Sequence, residues 1–331
     1  MRAFLYIFVF IITNVNSNQN NDRKTKIIID NDAGGDDAMA IFLALLYEKH
    51  FDGPTLVGLT TVNGNTIEDN VCINNQKILK IANRQDVPLY RGSNSSLVIT
   101  PVSVYFYGKD GLGDCDLYYD DLEPAKEQSA VSALIELSKK YEGSLTVITL
   151  GSLTNVALAI KLDPGFLNRL QQLYVAAGHI YSDENSMPEF NAFTDVEAYQ
   201  VVTQNATPDK LTIIPYSQVM SSLNFSRVWR QEVLGAIETE VMRAQNLFET
   251  ISLQESDRWQ SLDPAAVAVA LKPDLVKEYK YSKNSIKTCG DQRGINTNDF
   301  VPMQDANVRL IYSINEEEYK KLLLNVLSKH P

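Results

Sequence analysis

The chain predicts a doubly wound α/β fold, a mostly parallel central sheet with helices on both faces. Apolar runs rich in β-branched residues alternate with helical patterns, which is the rhythm of parallel β-α-β units. Runs such as Leu145-Thr146-Val147-Ile148-Thr149-Leu150 and Leu173-Tyr174-Val175-Ala176-Ala177 are almost continuously hydrophobic, as in strands covered by helices on both sides. Polar clusters follow directly after the strands, at the carboxyl ends where such sheets bind ligands.

In chain order, a strand at 26–30 leads to a helix at 37–49, and a strand at 55–62 to a helix at 67–82. Residues 101–127 read as a long functional loop. Its glycine- and aspartate-bearing piece, 107–114, suits a mobile edge over a pocket. A strand at 144–150 precedes a helix at 153–162, a strand follows at 173–178, and Asp263 starts a helical run at 264–271. The stretch 288–302 reads as irregular, and 316–328 as a helix whose acidic start and lysines form a solvated face. No repeat, low-complexity tract or linker divides residues 18–331, which are expected to form one domain.

Residues 1–17 combine one early arginine with a short apolar stretch and a small-residue cleavage site at Val15-Asn16-Ser17, the pattern of a signal peptide cleaved near Ser17. The apolar run is too short for a comfortable membrane span, so a secreted, extracellular protein is expected. Asn94, Asn205 and Asn224 head sequons that become glycosylation acceptors in a eukaryotic secretory pathway. A net charge of −11 without a basic block excludes nucleic acid and anionic membrane surfaces as partners. Cys72, Cys115 and Cys289 allow at most one intrachain bridge, and their spacing does not suit zinc.

The chemistry concentrates in Asp30-Asn31-Asp32-Ala33-Gly34-Gly35-Asp36-Asp37, four carboxylates in eight positions between a strand and a helix. Carboxylates this close repel one another and stay ionised in a compact site only beside a positive charge. Helix capping by Asp36 and dipole complementation by Asp37 explain two of the four, but not the crowding. Lys24 and Lys26 lie upstream of the strand. An all-oxygen donor set without a neighbouring Cys or His favours calcium or magnesium over zinc and leans toward calcium. Magnesium-dependent phosphoryl transfer is disfavoured, because the chain has no glycine-rich phosphate loop with a properly placed lysine.

The DxDxGxDD segment is followed by Gly64-Asn65, Gly108-Lys109-Asp110-Gly111-Leu112-Gly113, Gly151-Ser152-Leu153-Thr154-Asn155, Glu189-Phe190-Asn191 with Asp195, and finally Asp263. In these motifs and their order, the chain resembles the inosine-uridine-preferring nucleoside hydrolase family over essentially residues 18–331. The resemblance implies a Ca2+ ion held by Asp32, Asp37, the Leu150 carbonyl and Asp263. It also implies that Asp32 is the catalytic base on the water attacking the anomeric carbon of a small-molecule ribonucleoside. Asp36, Asn65, Asn185, Glu189 and Asn191 are then expected on the ribose hydroxyls, so that 2′-deoxy substrates are poor. Family members commonly form homo-oligomers, a dimer or a tetramer.

Several positions depart from the family pattern. Ala33 stands where relatives often carry proline, a change expected to alter only turn stiffness. Leu262 precedes the last metal-ligating aspartate, where pyrimidine-cleaving relatives have a proton-donating histidine, and Tyr107 stands where many relatives have another. Purine nucleosides are therefore slightly favoured as substrates. Leaving-group candidates are His179, Tyr107 and Trp259, with Tyr105, Phe106 and Trp229 as further aromatic candidates for stacking on the base. The alternative is a catalytically weak protein of the same fold that sequesters nucleosides.

Overall fold

The structure, a computed structural model, describes residues 24–181 and 187–331. The expected signal peptide and Asn185 lie outside the described residues. The described strands join in one nine-stranded sheet, ordered β3-β2-β1-β4-β5-β6-β9-β7-β8. These strands are β1 (Lys26–Asn31), β2 (Thr55–Thr61), β3 (Leu89–Tyr90), β4 (Leu145–Thr149), β5 (Gln172–Ala176), β6 (Leu211–Ile214), β7 (Val276–Ile286), β8 (Asn296–Phe300) and β9 (Val308–Ile314). Strands β3 through β9 in spatial order are parallel, whereas β7 pairs antiparallel with both β9 and β8.

Alternation along each strand divides the core into two layers. Ile27 and Ile29 of β1 join one cluster and Ile28 the other, while in β5 Tyr174 and Ala176 oppose Leu173 and Val175. Helices α1 (Gly35–His50), α2 (Glu68–Ile81), α3 (Ala130–Lys140), α4 (Thr154–Leu162), α5 (Val196–Asn205), α6 (Glu240–Phe248), α7 (Leu262–Leu271) and α8 (Glu316–Leu327) supply the covering. The first layer contains α1, α6, α7 and α8, and the second contains α4 and α5. Every residue of α1 from Gly35 to Leu46 is buried, so this helix has no polar face. It packs against α7 and carries two acids into the interior at its amino end.

The strand order reverses between β1 and β4, which places a crevice beyond their carboxyl ends. The Leu150 amide donates to the Asp30 carbonyl at 2.8 Å and extends the β1–β4 pairing to that edge. Asp32 and Leu150 therefore stand side by side at the switch point.

Two local expectations need correction. The stretch 288–302 is not wholly irregular, because β8 pairs there with β7 from Ile286↔Asn296 to Ser282↔Phe300. Its sequence Asn-Thr-Asn-Asp-Phe lacks apolar alternation, and the pairing is supplied by the neighbouring strand. In the long loop, the glycine-rich piece is packed inward, with Tyr107 and Leu112 buried, whereas Val98, Val102 and Val104 are exposed. Gly108, Gly111 and Gly113 all have positive φ, and Asp110 accepts hydrogen bonds from the Leu112 and Asp114 amides, which fixes the turn. The three cysteines are free, and no helix among the described residues is long and apolar enough to cross a membrane.

Candidate active site

Asp32 ends the β1 turn fully buried. Its Oδ2 accepts from the Asn65 amide at 2.7 Å, while Oδ1 is buried without a hydrogen-bond partner. Burial pushes this carboxyl up to about 7, with Asp36 and Asp30 adding to the rise and the Asn65 bond opposing it. Ala33 turns the chain at a φ of 37°, a region closed to proline, so its replacement of proline changes the turn's conformation as well as its stiffness. Asp37 then accepts from Gly34 N at 2.7 Å, Asp32 N at 3.2 Å and Asn65 Nδ2 at 3.2 Å. Asp36 accepts a hydrogen bond from the Tyr107 hydroxyl.

Asp263, in the first turn of α7, reaches the same point from the other end of the chain. Asp36, Asp37 and Asp263 each place one carboxylate oxygen within 4.8 Å of the other two. Burial raises all three well above the ordinary carboxylate range, and mutual repulsion adds to it. The compact triplet contains Asp36, which the sequence reading put on a ribose hydroxyl, and not Asp32. Asp32 borders it, and its charge acts on both Asp37 and Asp263. Gly64 and Gly151 lie so close that a Cβ on either would strike the Asp32 carboxylate. Asp30, by contrast, is held by Thr60 and Asn155 away from this triplet, and burial pushes it up to about 7.

Asp36 and Asp263, with Asp37 and Asp32 behind them, border a cavity of about 280 Å³ whose lining among the described residues contains no lysine or arginine. Asn65, Glu189, Asn191 and the Leu150 segment complete its polar side. Val104, Phe106, Tyr107, His179, Tyr216 and Leu262 make its remaining lining largely apolar and aromatic. The orphaned Asp32 Oδ1, the all-oxygen donor set and the uncompensated buried carboxylates fit a hard divalent cation.

The expected ribose contacts also hold the site together. Glu189 accepts from the amides of Gly178, Asn191 and Ala192, capping the short helix Phe190–Thr194, and burial raises its carboxyl. Asn191 Nδ2 donates to the Leu150 carbonyl at 2.6 Å and to the Ala176 carbonyl at 2.9 Å, tying β4 to β5. Asp195 is a cap for α5 that also accepts from Thr154 and the Leu97 amide.

Of the leaving-group candidates, Tyr107 and His179 line the cavity and Trp259 does not. Trp259 is buried, donates from Nε1 to Glu249 at 2.7 Å and packs with Phe225 and Trp229. Its apolar neighbourhood drew the ring into the core. Burial drives the Tyr107 hydroxyl well above its usual value and lowers His179 to about 4, so neither group is tuned as an acid near neutrality. The sequence reading missed Tyr216, Gln260 and the buried ion pair of Arg230 with Glu249 (Nε to Oε2, 2.7 Å). Nothing in the local sequence around Arg230 signals that pair. The position of Gln260 just before Asp263 was a usable signal.

An α/β sheet with an acidic, cation-fitting crevice at its switch point defines the general class of the protein. The family model for inosine-uridine preferring nucleoside hydrolases matches residues 27–321. An uncharacterized protein of Schizosaccharomyces pombe is 28% identical over 92% of this chain and 100% of its own length. Uridine nucleosidase 1 of Arabidopsis thaliana is 39% identical, over 54% of this chain and 52% of that protein. Among solved structures, a plant nucleoside hydrolase superposes with a TM-score of 0.79 at 25% identity, covering 92% of this chain and 99% of that one. An inosine-guanosine nucleoside hydrolase gives 0.82 at 24% identity over 91% and 98%, a likeness of fold. The chain belongs to the inosine-uridine preferring nucleoside hydrolase family, and its activity class is that of an N-ribohydrolase.

Proposed function

We propose that the protein is a secreted, calcium-dependent hydrolase that cleaves the N-glycosidic bond of ribonucleosides to nucleobase and ribose, with purine nucleosides slightly favoured. The observation that carries this reading is the meeting of uncompensated carboxylates with an apolar, aromatic lining at one cavity. Asp37, Asp263, the Leu150 carbonyl and Asp32 or Asp36 hold the cation. Bound there, it supplies a grip on a vicinal diol and acidifies a water.

Asp32 Oδ1, which has no other partner, takes the proton of the attacking water. Asn65, Glu189 and Asn191, with Asn185, orient the sugar hydroxyls. The apolar wall excludes bulk water from the departing base. Leu262 in that wall has no proton to give, which supports purines over pyrimidines. The same residue, beside a neutral His179, favours the second reading, a weakly catalytic protein that sequesters nucleosides.

Incubation with inosine, adenosine, uridine and 2′-deoxyinosine separates the two readings. Release of reducing sugar from the ribonucleosides, lost with chelator and restored by calcium, is expected, with 2′-deoxyinosine poor. Binding without release establishes sequestration, and neither binding nor release refutes both. Export is supported by the leader-like residues 1–17 and by exposure of Asn94, Asn205 and Asn224. Oligomerisation as a dimer or tetramer is part of the same proposal, and sedimentation tests it.

A further inference from the structure

Beyond the end of β5, the segment 178–180 has its backbone polar groups occupied in a way that ordinary loops do not. Gly178 N donates to Glu189 at 2.7 Å, and the Gly178 carbonyl accepts from the Tyr216 amide at 2.9 Å. His179 N donates to Asn296 Oδ1 at 2.8 Å, and its carbonyl accepts from Asn296 Nδ2 at 2.8 Å and Asn298 Nδ2 at 2.9 Å. Ile180 N donates to Ser217 Oγ at 2.9 Å. The clamp requires glycine at 178, where φ is +80° and a Cβ would press Asn296 Oδ1 at 3.1 Å.

The side chain held this way is 8% exposed and lines the cavity, with edge contacts to the rings of Tyr181 and Tyr216 at 5.2 and 5.6 Å. Its Nδ1 is buried and has no hydrogen-bond partner. The other ring nitrogen, Nε2, has no hydrogen-bond partner among the described residues either and is the more accessible of the two. No charged group forms an ion pair with the ring among the described residues. The titratable groups around it are Tyr181, Tyr216 and, through Gly178, Glu189.

We propose that His179 is a specificity-determining residue: its ring, carried on the backbone that Asn296 and Asn298 of β8 clamp and packed against Tyr181 and Tyr216, accepts one hydrogen bond from the bound nucleoside at its cavity-facing nitrogen. The proposal rests on the nucleoside reading of the cavity and replaces the role of leaving-group acid with one of recognition. Asn296 and Asn298 are positioning residues, acting on substrate only through His179. The group recognised is a polar hydrogen on the nucleoside, either the 5′-hydroxyl or a base-edge N–H.

Steady-state kinetics of wild type, His179→Phe and Asn298→Ala on inosine, 5′-deoxyinosine and purine riboside test this. His179→Phe is expected to raise KM for inosine about tenfold with kcat little changed, the loss of one hydrogen bond. That penalty disappears on 5′-deoxyinosine if the sugar hydroxyl is the partner, and on purine riboside if the base edge is. Asn298→Ala shows a smaller penalty with the same substrate pattern. An equal penalty on all three substrates, or none on inosine, overturns the proposal.

A second readout does not need turnover. The chain has three histidines, so 15N-histidine labelling gives few ring resonances, and those missing in His179→Phe are assigned to His179. A saturating C-nucleoside isostere of inosine, whose carbon–carbon glycosidic bond is not hydrolysed, is expected to shift one of them in wild type and to a smaller extent in Asn298→Ala. Unmoved resonances in protein shown to bind the isostere refute the contact. Wild type that neither binds nor cleaves inosine refutes the functional reading instead.

Discussion

Replacing Asp263 with asparagine removes one charge from a cluster whose oxygens lie within 4.8 Å of one another. At an effective dielectric of ~20, each like-charge pair at that distance costs ~3.5 kcal/mol. Asp263 faces two such neighbours, Asp36 and Asp37, which doubles the repulsion between fully ionised groups. Protonation relieves part of it, since burial has already raised all three carboxyls. A net gain of about 3 kcal/mol is therefore expected for Asp263→Asn in cation-free protein.

With calcium the difference closes. Wild type gains about 2.7 kcal/mol at a hundredfold excess of cation over its Kd, whereas the variant gains little. Urea unfolding in chelator and in millimolar calcium, with inosine hydrolysis measured in parallel, reads both effects. An Asp263→Asn protein that is no more stable than wild type in chelator, yet equally responsive to calcium, refutes the electrostatic account of the site.

Gly64→Ala would drive a Cβ into Asp32 Oδ2, so it is expected to lower kcat at least a hundredfold and to cost about 2 kcal/mol, read by kinetics and urea unfolding. Glu249→Gln leaves the buried Arg230 guanidinium uncompensated and should cost roughly 3–5 kcal/mol, while Arg230→Met combined with Glu249→Leu restores most of it. His179 is held near 4 in the folded chain against 6.5 unfolded. The unfolded state therefore binds the extra proton as pH falls from 6.5 to 4, and stability is lost in that window. Between pH 7.5 and 4.5 wild type should lose about 2 kcal/mol more than His179→Phe, after discounting for solvent at the open cavity. Equal losses would show that the ring is not desolvated.

The acidic turn was legible because its cost is written in one-dimensional spacing: four carboxylates in eight residues demand compensation wherever they fold. Leu150, Asn65 and Asp263 follow a strand or open a helix whose period is plain, but their grouping into one site was implied by the family resemblance and not by that period. Which of Asp32 and Asp36 completes the compact triplet was not legible, because that depends on the φ of Ala33 and on Tyr107 reaching Asp36 from the long loop. Strand β8 escaped detection because its residues gain their pairing from β7 and not from any pattern of their own. The partner of His179 lies 117 residues away in that same strand, beyond any local signal. Trp259 was misplaced because sequence marks an aromatic ring as bulky but not which way it turns.

The carboxylates that converge on one point come from α1 and α7, elements separated by most of the chain and brought together by their mutual packing. A polypeptide still emerging during synthesis has the first two acids long before the third. A metal held at this point would load only once docking of α7 completes the chelate. Such an ion would act as a latch that rewards finished molecules, and a truncated product ending before residue 262 would forgo that reward.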